Sequence, residues 1–347
     1  MPYTLTRLGV VMGPSGEPLE AEGVLNPGCG FNPAGVPYLL PRLVAAGNVS
    51  RVGLARLQVR DGVPVGVERE GVVLAPDESW ERSRFNAGVE DPRVTWLPSL
   101  RLHVMTYVAY GALGPRPALA ISENLRDWQR LGPLHFQYDP ELACDLNLFS
   151  NKDVVVFPEV VPGPDGVPCY AMLHRPMWEM DWIRPGEQVE LPRGLTEPRP
   201  GIWISYVPAN AAASDIRALT NPAGHRLVAL PQYEFEELKI GAGPPPLRVV
   251  EGWLLLHHGV RGELEHGVDQ QQRVHYSAGA MLLDREDPSK VLARTPAPLL
   301  EPDTADERSG TVPNVVFPTA VMQIEGKYYV FYGMADSKIG VARLDRA

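Results

Sequence analysis

Five times along its 347 residues the chain repeats one three-part unit: a polar motif, an aromatic-rich stretch, and a small-residue stretch of the Ile-Gly-Val-Ala type. The first copy combines Phe31-Asn32-Pro33-Ala34-Gly35 with Tyr38-Leu39-Leu40-Pro41-Arg42 and Ser50-Arg51-Val52-Gly53-Leu54-Ala55. The second joins Glu90-Asp91-Pro92-Arg93 to the stretch around Tyr107 and to Gly114–Ala120. The third carries Asn151-Lys152-Asp153, Tyr170–Pro176 and Gly201–Tyr206. The fourth has Lys239–Pro244, Trp253–Gly259 and Tyr276–Ala280, and the fifth Pro313–Pro318, Tyr328–Tyr332 and Ile339–Ala342. The aromatic stretches centre near 40, 106, 172, 255 and 330. Short strands at a nearly fixed period indicate stacked units, none of which can bury its faces alone. Closure into a ring of about four to eight blades protects the strand edges. Five copies therefore predict an all-β, five-bladed β-propeller, a single domain over residues 1–347 with its active site in the central funnel. A two-sheet sandwich would give no reason for one polar motif at the same place in each unit.

Equivalent positions of successive blades converge on the axis, so Asn32, Asp91, Arg93, Lys152, Asp153, Lys239 and Asn314 are expected to meet in the funnel. Within Glu90-Asp91-Pro92-Arg93, Pro92 fixes its own φ and biases Asp91 toward extended geometry. Arg93 can hold a neighbouring carboxylate by a two-pronged hydrogen bond. The funnel is rich in cations: Arg42, Arg51, Arg93, Lys152, Arg175 and Lys239, with His174 and His258 nearby. Yet the chain is acidic, with 42 acidic against 32 basic residues and a net charge of −10. A cationic cluster beside the axis of such a protein points to a bound anion, and Arg and Lys suit phosphate oxygens. No basic run suggests a nucleic-acid partner. Tryptophans and tyrosines beside polar groups suit sugar. The Trp178–Pro200 insertion, with Trp178 and Trp182, reads as a loop over the funnel mouth. A second insertion lies between Gly262 and Arg273, and a short helix is expected at Ala209–Leu219 with Ser214 or Asp215 as a cap. Cys29, Cys144 and Cys169 have no metal-ligand spacing and read as free thiols of a reducing compartment. No stretch has signal-peptide character or membrane-span length, so the expected location is the cytoplasm. No metal and no organic cofactor is expected, and the sequence is compatible with a homo-oligomer.

The motifs Gly88–Arg93, Asn151-Lys152-Asp153, His174-Arg175-Pro176, Lys239–Pro246, His258-Gly259-Val260 and Val312–Phe317 resemble glycoside hydrolase family 130. That family contains the inverting β-mannoside phosphorylases and some β-mannosidases, and the likeness runs from about Phe31 to about Ala342. It implies a five-bladed propeller with Asp91 as general acid, its proton passing through the 3-hydroxyl of the bound mannosyl unit. Inorganic phosphate, as co-substrate, then attacks the anomeric carbon from the opposite face and α-mannose 1-phosphate leaves. No protein base is needed, whereas an inverting hydrolase uses a second carboxylate. The resemblance implies phosphate contacts from Arg51, Lys152, His174 and Arg175, with Arg42 and His258 as further candidates. It implies mannoside contacts from Asn32, Arg93, Asp153 and Asp336; Glu90, Lys239 and Asn314 are further substrate candidates by their place at the funnel, and Trp178 and Trp182, from their loop, are expected toward the acceptor. Glu234, Glu236 and Glu237 keep a hydrolytic β-mannosidase as the alternative, and a sugar-binding propeller without turnover is the third reading.

Overall fold

The computed structural model of the chain describes residues 1–179, 183–264 and 271–346. Strand β1 (Tyr3–Met12) comes first, followed by five antiparallel groups. Unit one holds β2 (Gly23–Phe31), β3 (Pro37–Ala45), β4 (Val49–Arg60) and β5 (Val63–Leu74). Unit two holds β6 (Ala87–Leu97), β7 (Leu102–Gly111), β8 (Gly114–Ser122) and β9 (Gln129–Pro133). Unit three is β10 (Ser150–Val156), the short β11 (Val161–Pro162), β12 (Pro168–Met177), β13 (Ile202–Pro208) and β14 (Ala223–Ala229). Unit four is β15 (Lys239–Ala242), β16 (Leu247–Val249), β17 (Gly252–Glu263), β18 (Arg273–Leu283) and β19 (Val291–Arg294). Unit five is β20 (Val316–Ile324), β21 (Lys327–Met334) and β22 (Lys338–Arg346), with β1 as its outer strand through pairs such as Leu5↔Leu344. A strand from each end of the described chain thus shares one sheet. Units one and two form one eight-stranded sheet through a short parallel pairing, Val49↔Ala87 and Ser50↔Gly88. Gly88 has φ +119°, and an added Cβ would collide with the Ser50 carbonyl, so this junction needs glycine.

The strand paired beside the first strand of each unit (β3, β7, β12, β17 and β21) is buried on both faces because alternate side chains serve different neighbours. On β7, Met105 and Tyr107 enter a core with Leu40 and Val52 of unit one, while Val104 enters one with Val156 and Met172 of unit three. On β12, Leu173 joins Leu255 and Met281 of unit four. On β17, Leu254 and Leu256 join Val330 and Tyr332 of unit five. On β21, Tyr329 and Phe331 join Leu39 and Leu43 of unit one. Each unit therefore shares a core with the next, and the fifth with the first. Hydroxyls tie the inner strands together: Thr95 donates to the Val156 carbonyl (3.0 Å) and Thr319 to that of Pro27 (2.8 Å).

A second repeat stands behind the inner strands. Glu20, Glu81, Glu236 and Glu307 are each buried in the turn before the inner strand of units one, two, four and five. Each pairs with an arginine of its unit's outer strand: Arg69 (2.8 Å), Arg130 (2.9 Å), Arg294 (2.7 Å) and Arg7 (2.9 Å). The Tyr107 and Tyr332 hydroxyls and the His257 ring add bonds of 2.8, 2.9 and 2.8 Å to Glu81, Glu307 and Glu236. The expected helix divides into an α-helix, Ala209–Ser214, and a 3-10 turn, Ile216–Thr220. Asp215 sits between them, and its carboxylate accepts from the Arg217 amide (3.0 Å), so it caps the second piece. Trp182 and most of the Gly262–Arg273 insertion lie outside the described residues.

Candidate active site

The inner strands of units one, two and three break register at the same place. The ladder shifts between Leu25 and Gly28, between Glu90 and Arg93, and between Lys152 and Val155. Inside each shift is one residue at positive φ: Asn26 (+43°), Asp91 (+48°) and Asp153 (+57°). Asn and Asp tolerate this left-handed geometry better than other side chains, and a bulge re-aims the residue it carries. Asp91 is therefore left-handed, not extended as Pro92 alone implies.

Asp91 is 8% exposed. Its Oδ1 accepts from Asn26 Nδ2 (2.8 Å) and Arg42 Nη1 (3.0 Å), while Oδ2 has no hydrogen-bond donor among the described residues. Burial pushes this carboxyl up, but the Arg42 charge and the Asn26 bond, with Lys152 and Arg93 beyond, hold it below its ordinary value. Glu90 Oε1 accepts from Arg42 Nη2 (2.8 Å), and its Oε2 lies 3.9 Å from Lys152 Nζ. Asp336, in the turn between β21 and β22, behaves oppositely. Burial first, then repulsion from Asp91 and Glu90, pushes it up to about 6 against the pull of Arg42 and Lys152. Asn314, at φ +60°, precedes β20, and its carbonyl accepts from the Tyr276 amide (3.0 Å).

Asp153 organises the cationic side. Its Oδ1 accepts from Arg93 Nη2 (3.1 Å) and its Oδ2 from Arg175 Nε (2.6 Å), with His258 Nε2 at 3.6 Å. Burial opposes ionisation, but the Arg175 and Arg93 guanidiniums keep this carboxyl far below its usual range. An added Cβ on Gly241 would collide with Asp153 Oδ2 and the His258 ring, which explains the glycine in Lys239-Ile240-Gly241. Arg175 Nη1 is buried with no hydrogen-bond partner. Lys152 and Lys239 lie over the rings of Tyr110 (5.3 Å) and Tyr276 (5.6 Å). Burial, then the Arg175 and Lys152 charges, push Lys239 down to about 7, with Asp153 and Glu179 resisting. His258 is fully buried, both ring nitrogens are unpartnered, and burial with the surrounding cations keeps it neutral. Lys152, Arg175 and Lys239 thus form a self-repelling group that a dianion would relieve.

Several expected site residues stand elsewhere. Asn32 closes the turn after β2, its Oδ1 accepting from Ala34 and Val36 amides (3.0 and 2.9 Å); Asn26 takes the place beside Asp91. Asn26-Pro27 repeats the pattern of Asp91-Pro92, and that was the legible signal. Arg42 bonds Asp91, Glu90, Ser50 and Asn48, which leaves one N–H of Nη1 and makes it first of all a brace for Asp91. Arg51 pairs across the ladder with Leu43, one residue on from Arg42, and so faces the other side of the sheet. Its Nη1 is buried and unpartnered. Arg93, 1% exposed, is a brace across units: Nε donates to the Gly243 carbonyl (2.9 Å), and Nη2 to Asp153 and the Ala242 carbonyl (each 3.1 Å). His174 lies opposite the β10 bulge but turns outward. Its ring bonds Ser205 Oγ (2.7 Å) and Asn151 Nδ2 (3.0 Å), and burial, with His225 nearby, keeps it neutral. It occupies in unit three the place that Tyr107 takes in unit two. Trp178 is 4% exposed, between Phe149 (5.1 Å) and Trp203 (5.9 Å), so it is a core residue with no open face for an acceptor. Val189, Leu191 and Leu195 of its insertion pack on that same core. Among the glutamates kept for hydrolysis, Glu236 belongs to the buried brace. Glu234 is exposed and pairs with Arg261 (2.9 Å), and Glu237 accepts from the Gly262 amide (3.3 Å).

A family model for glycoside hydrolase 130, described as beta-1,4-mannooligosaccharide phosphorylase, matches residues 218–346. The chain is 32% identical over 274 residues to a 1,2-beta-oligomannan phosphorylase of Thermoanaerobacter sp. (strain X514), covering 78% of this chain and 72% of that protein. It is 38% identical to a beta-1,4-mannooligosaccharide phosphorylase of Ruminococcus albus over 120 residues, 34% of each chain. Among solved structures, the beta-1,2-mannobiose phosphorylase of Listeria innocua superposes with TM-score 0.69 at 22% identity, over 99% of this chain and 96% of that one. A structure from work on family 130 hydrolases that target beta-1,2 mannosidic linkages in Candida mannan superposes with TM-score 0.73 at 25% identity, over 98% and 93%. With these likenesses added to the shared motifs, the chain belongs to glycoside hydrolase family 130.

Proposed function

We infer that the chain is an inverting β-mannoside phosphorylase, a five-bladed propeller that releases α-mannose 1-phosphate. The observation that carries this reading is the group Lys152, Arg175 and Lys239, with Arg175 Nη1 buried and unpartnered, in the same funnel as Asp91. Asp91 Oδ2, the oxygen left open, is the atom that delivers the proton, and Asn26 and Arg42 hold the other oxygen to aim it. In the free protein Asp91 is ionised. Phosphate at the cation group offsets the field of Lys152, so binding the nucleophile favours the protonated acid that the next step needs. Phosphate then attacks from the face opposite Asp91, as inversion requires.

The relatives that cover most of the chain are named for β-1,2-linked mannosides, so β-1,2-mannobiose is the first substrate to test. Mannose 1-phosphate should form only with phosphate present, and the reverse reaction from α-mannose 1-phosphate should extend mannose. Mannose release without phosphate, at a rate that phosphate does not raise, would replace phosphorolysis by hydrolysis. The likeness to the Candida mannan hydrolases supports that second reading, but the burial of Glu236 in its brace argues against it. All three cysteines are buried free thiols, which supports a reducing compartment, and we place the protein in the cytoplasm. No helix among the described residues is long and apolar enough to cross a membrane.

A further inference from the structure

The inner strands run from the Asp91 funnel to a second chamber at their other ends. This cavity, of about 1210 Å³, takes wall residues from all five units, among them Phe31, Trp96, Glu159, Pro246 and Gln323. Its walls are strand ends and the turns that join them. It is separate from the candidate active site. Four residues of β6 lie between Asp91 and Trp96, roughly 15 Å of strand. Arg93, at 1% exposure, and the Thr95 and Thr319 hydroxyls fill the space between them with bonds across units.

Two large rings are left open at the chamber: Trp96 is 43% and Phe31 40% exposed. Trp96 is held from one side by the ring of its ladder partner His103, at a centroid distance of 4.6 Å. His103 is itself 4% exposed and belongs to the chamber lining, its ring held beside the Ser122 and Phe31 backbone. An exposed indole held in place by a buried ring, on the wall of a cavity that also carries the exposed Phe31, is more than a chance exposed aromatic. The charges of the lining are mixed: it carries Arg101, Glu123 and Glu159. Such a lining does not select an anion, in contrast to the Lys152 group. It offers donors and acceptors to hydroxyls and flat apolar faces to a sugar ring.

We propose that this chamber is a second carbohydrate site, which takes a neutral oligosaccharide by stacking one ring on Trp96. It goes beyond the catalytic reading, which supplies only the choice of a mannoside as first probe. The site would keep a second stretch of glycan on the protein while the funnel acts on a chain end.

The test uses the full chain carrying Asp91→Asn, which stops turnover, and titrates β-mannotetraose, cellotetraose and xylotetraose by calorimetry and by ligand-observed saturation-transfer NMR. At least one should bind at millimolar strength in a way that Trp96→Ala weakens tenfold or more and Trp96→Phe weakens less. The melting temperature should stay unchanged, because Trp96 is nearly half exposed. Trp96→Ala alone should leave turnover of mannobiose within twofold. If no tetrasaccharide binding depends on Trp96, or if only an apolar dye enters the chamber and no sugar displaces it, the proposal falls. Should mannosides not be turned over at all, the catalytic reading fails instead, and Trp96-dependent binding is still measured.

Discussion

Lys239 gives the sharpest test of the anion site. Its ammonium, ordinarily near 10.5, is pushed down to about 7 by burial and by Arg175 and Lys152. A dianion seated among these cations would favour the charged form. Anion binding should therefore take up a proton wherever free Lys239 is neutral. At pH 8, about one lysine in eleven is charged, so binding should take up roughly 0.9 proton; at pH 6 it should take up about 0.1. Above pH 7 the affinity should weaken by about tenfold per pH unit. Sulfate is the right probe, because it stays a dianion over this range while phosphate itself titrates. Calorimetry at each pH in two buffers of different ionisation enthalpy measures the uptake directly. Lys239→Met should abolish both uptake and slope. A second readout follows from the sign of the shift. A lysine whose folded value lies below its unfolded one weakens the fold most below pH 7, and the penalty fades as pH rises toward 10.5. Lys239→Met should thus raise the melting temperature at pH 6 and raise it less at pH 9. Sulfate binding that takes up no proton at pH 8, with affinity flat from pH 6 to 9, would refute the reasoning.

Asp91→Asn should keep the fold, since asparagine tolerates φ +48° and still accepts from Asn26 and Arg42. Turnover should fall by a factor on the order of 10²–10⁴, and near-normal turnover would remove Asp91 from the mechanism. Glu236→Gln should lower stability by about 3 kcal/mol, read by denaturant melts, because it leaves Arg294 facing a neutral group in a buried brace. Because His257, Arg294 and the Gln232 amide outweigh burial and hold Glu236 down to about 2, its contribution should be complete above pH 4.5 and lost as pH falls through 2. Loss of activity without loss of stability would instead mark Glu236 as a base. Trp178→Ala should lower stability by about 3–5 kcal/mol, as for a large core ring, and a selective rise in acceptor KM at unchanged stability would restore the acceptor role.

The amino-acid sequence determined the repeat, the all-strand class and the position of the Asp-Pro step, because these signals are local. Aromatic stretches at a near-fixed period, small-residue strands and an Asp-Pro step carry their meaning wherever the units sit. Asn26-Pro27 belonged to the same pattern and was legible beside Asp91-Pro92. The tertiary structure decided which neighbour of each pair reaches the Asp91 and Asp153 cluster. Arg175 reaches Asp153 while His174, one residue before it, turns into the bonds of unit three. Arg42 grips Asp91 while Arg51 serves the opposite face. Asn26 sits at the bulge while Asn32, six residues later, closes a turn at the far end of the same strand. The cause is the two-residue period of a strand: a step of one residue exchanges one face of the sheet for the other, and a single bulge resets the count. Trp178 was settled by the same kind of fact, since only the packing of Phe149 and Trp203 around it separates a buried ring from a sugar platform.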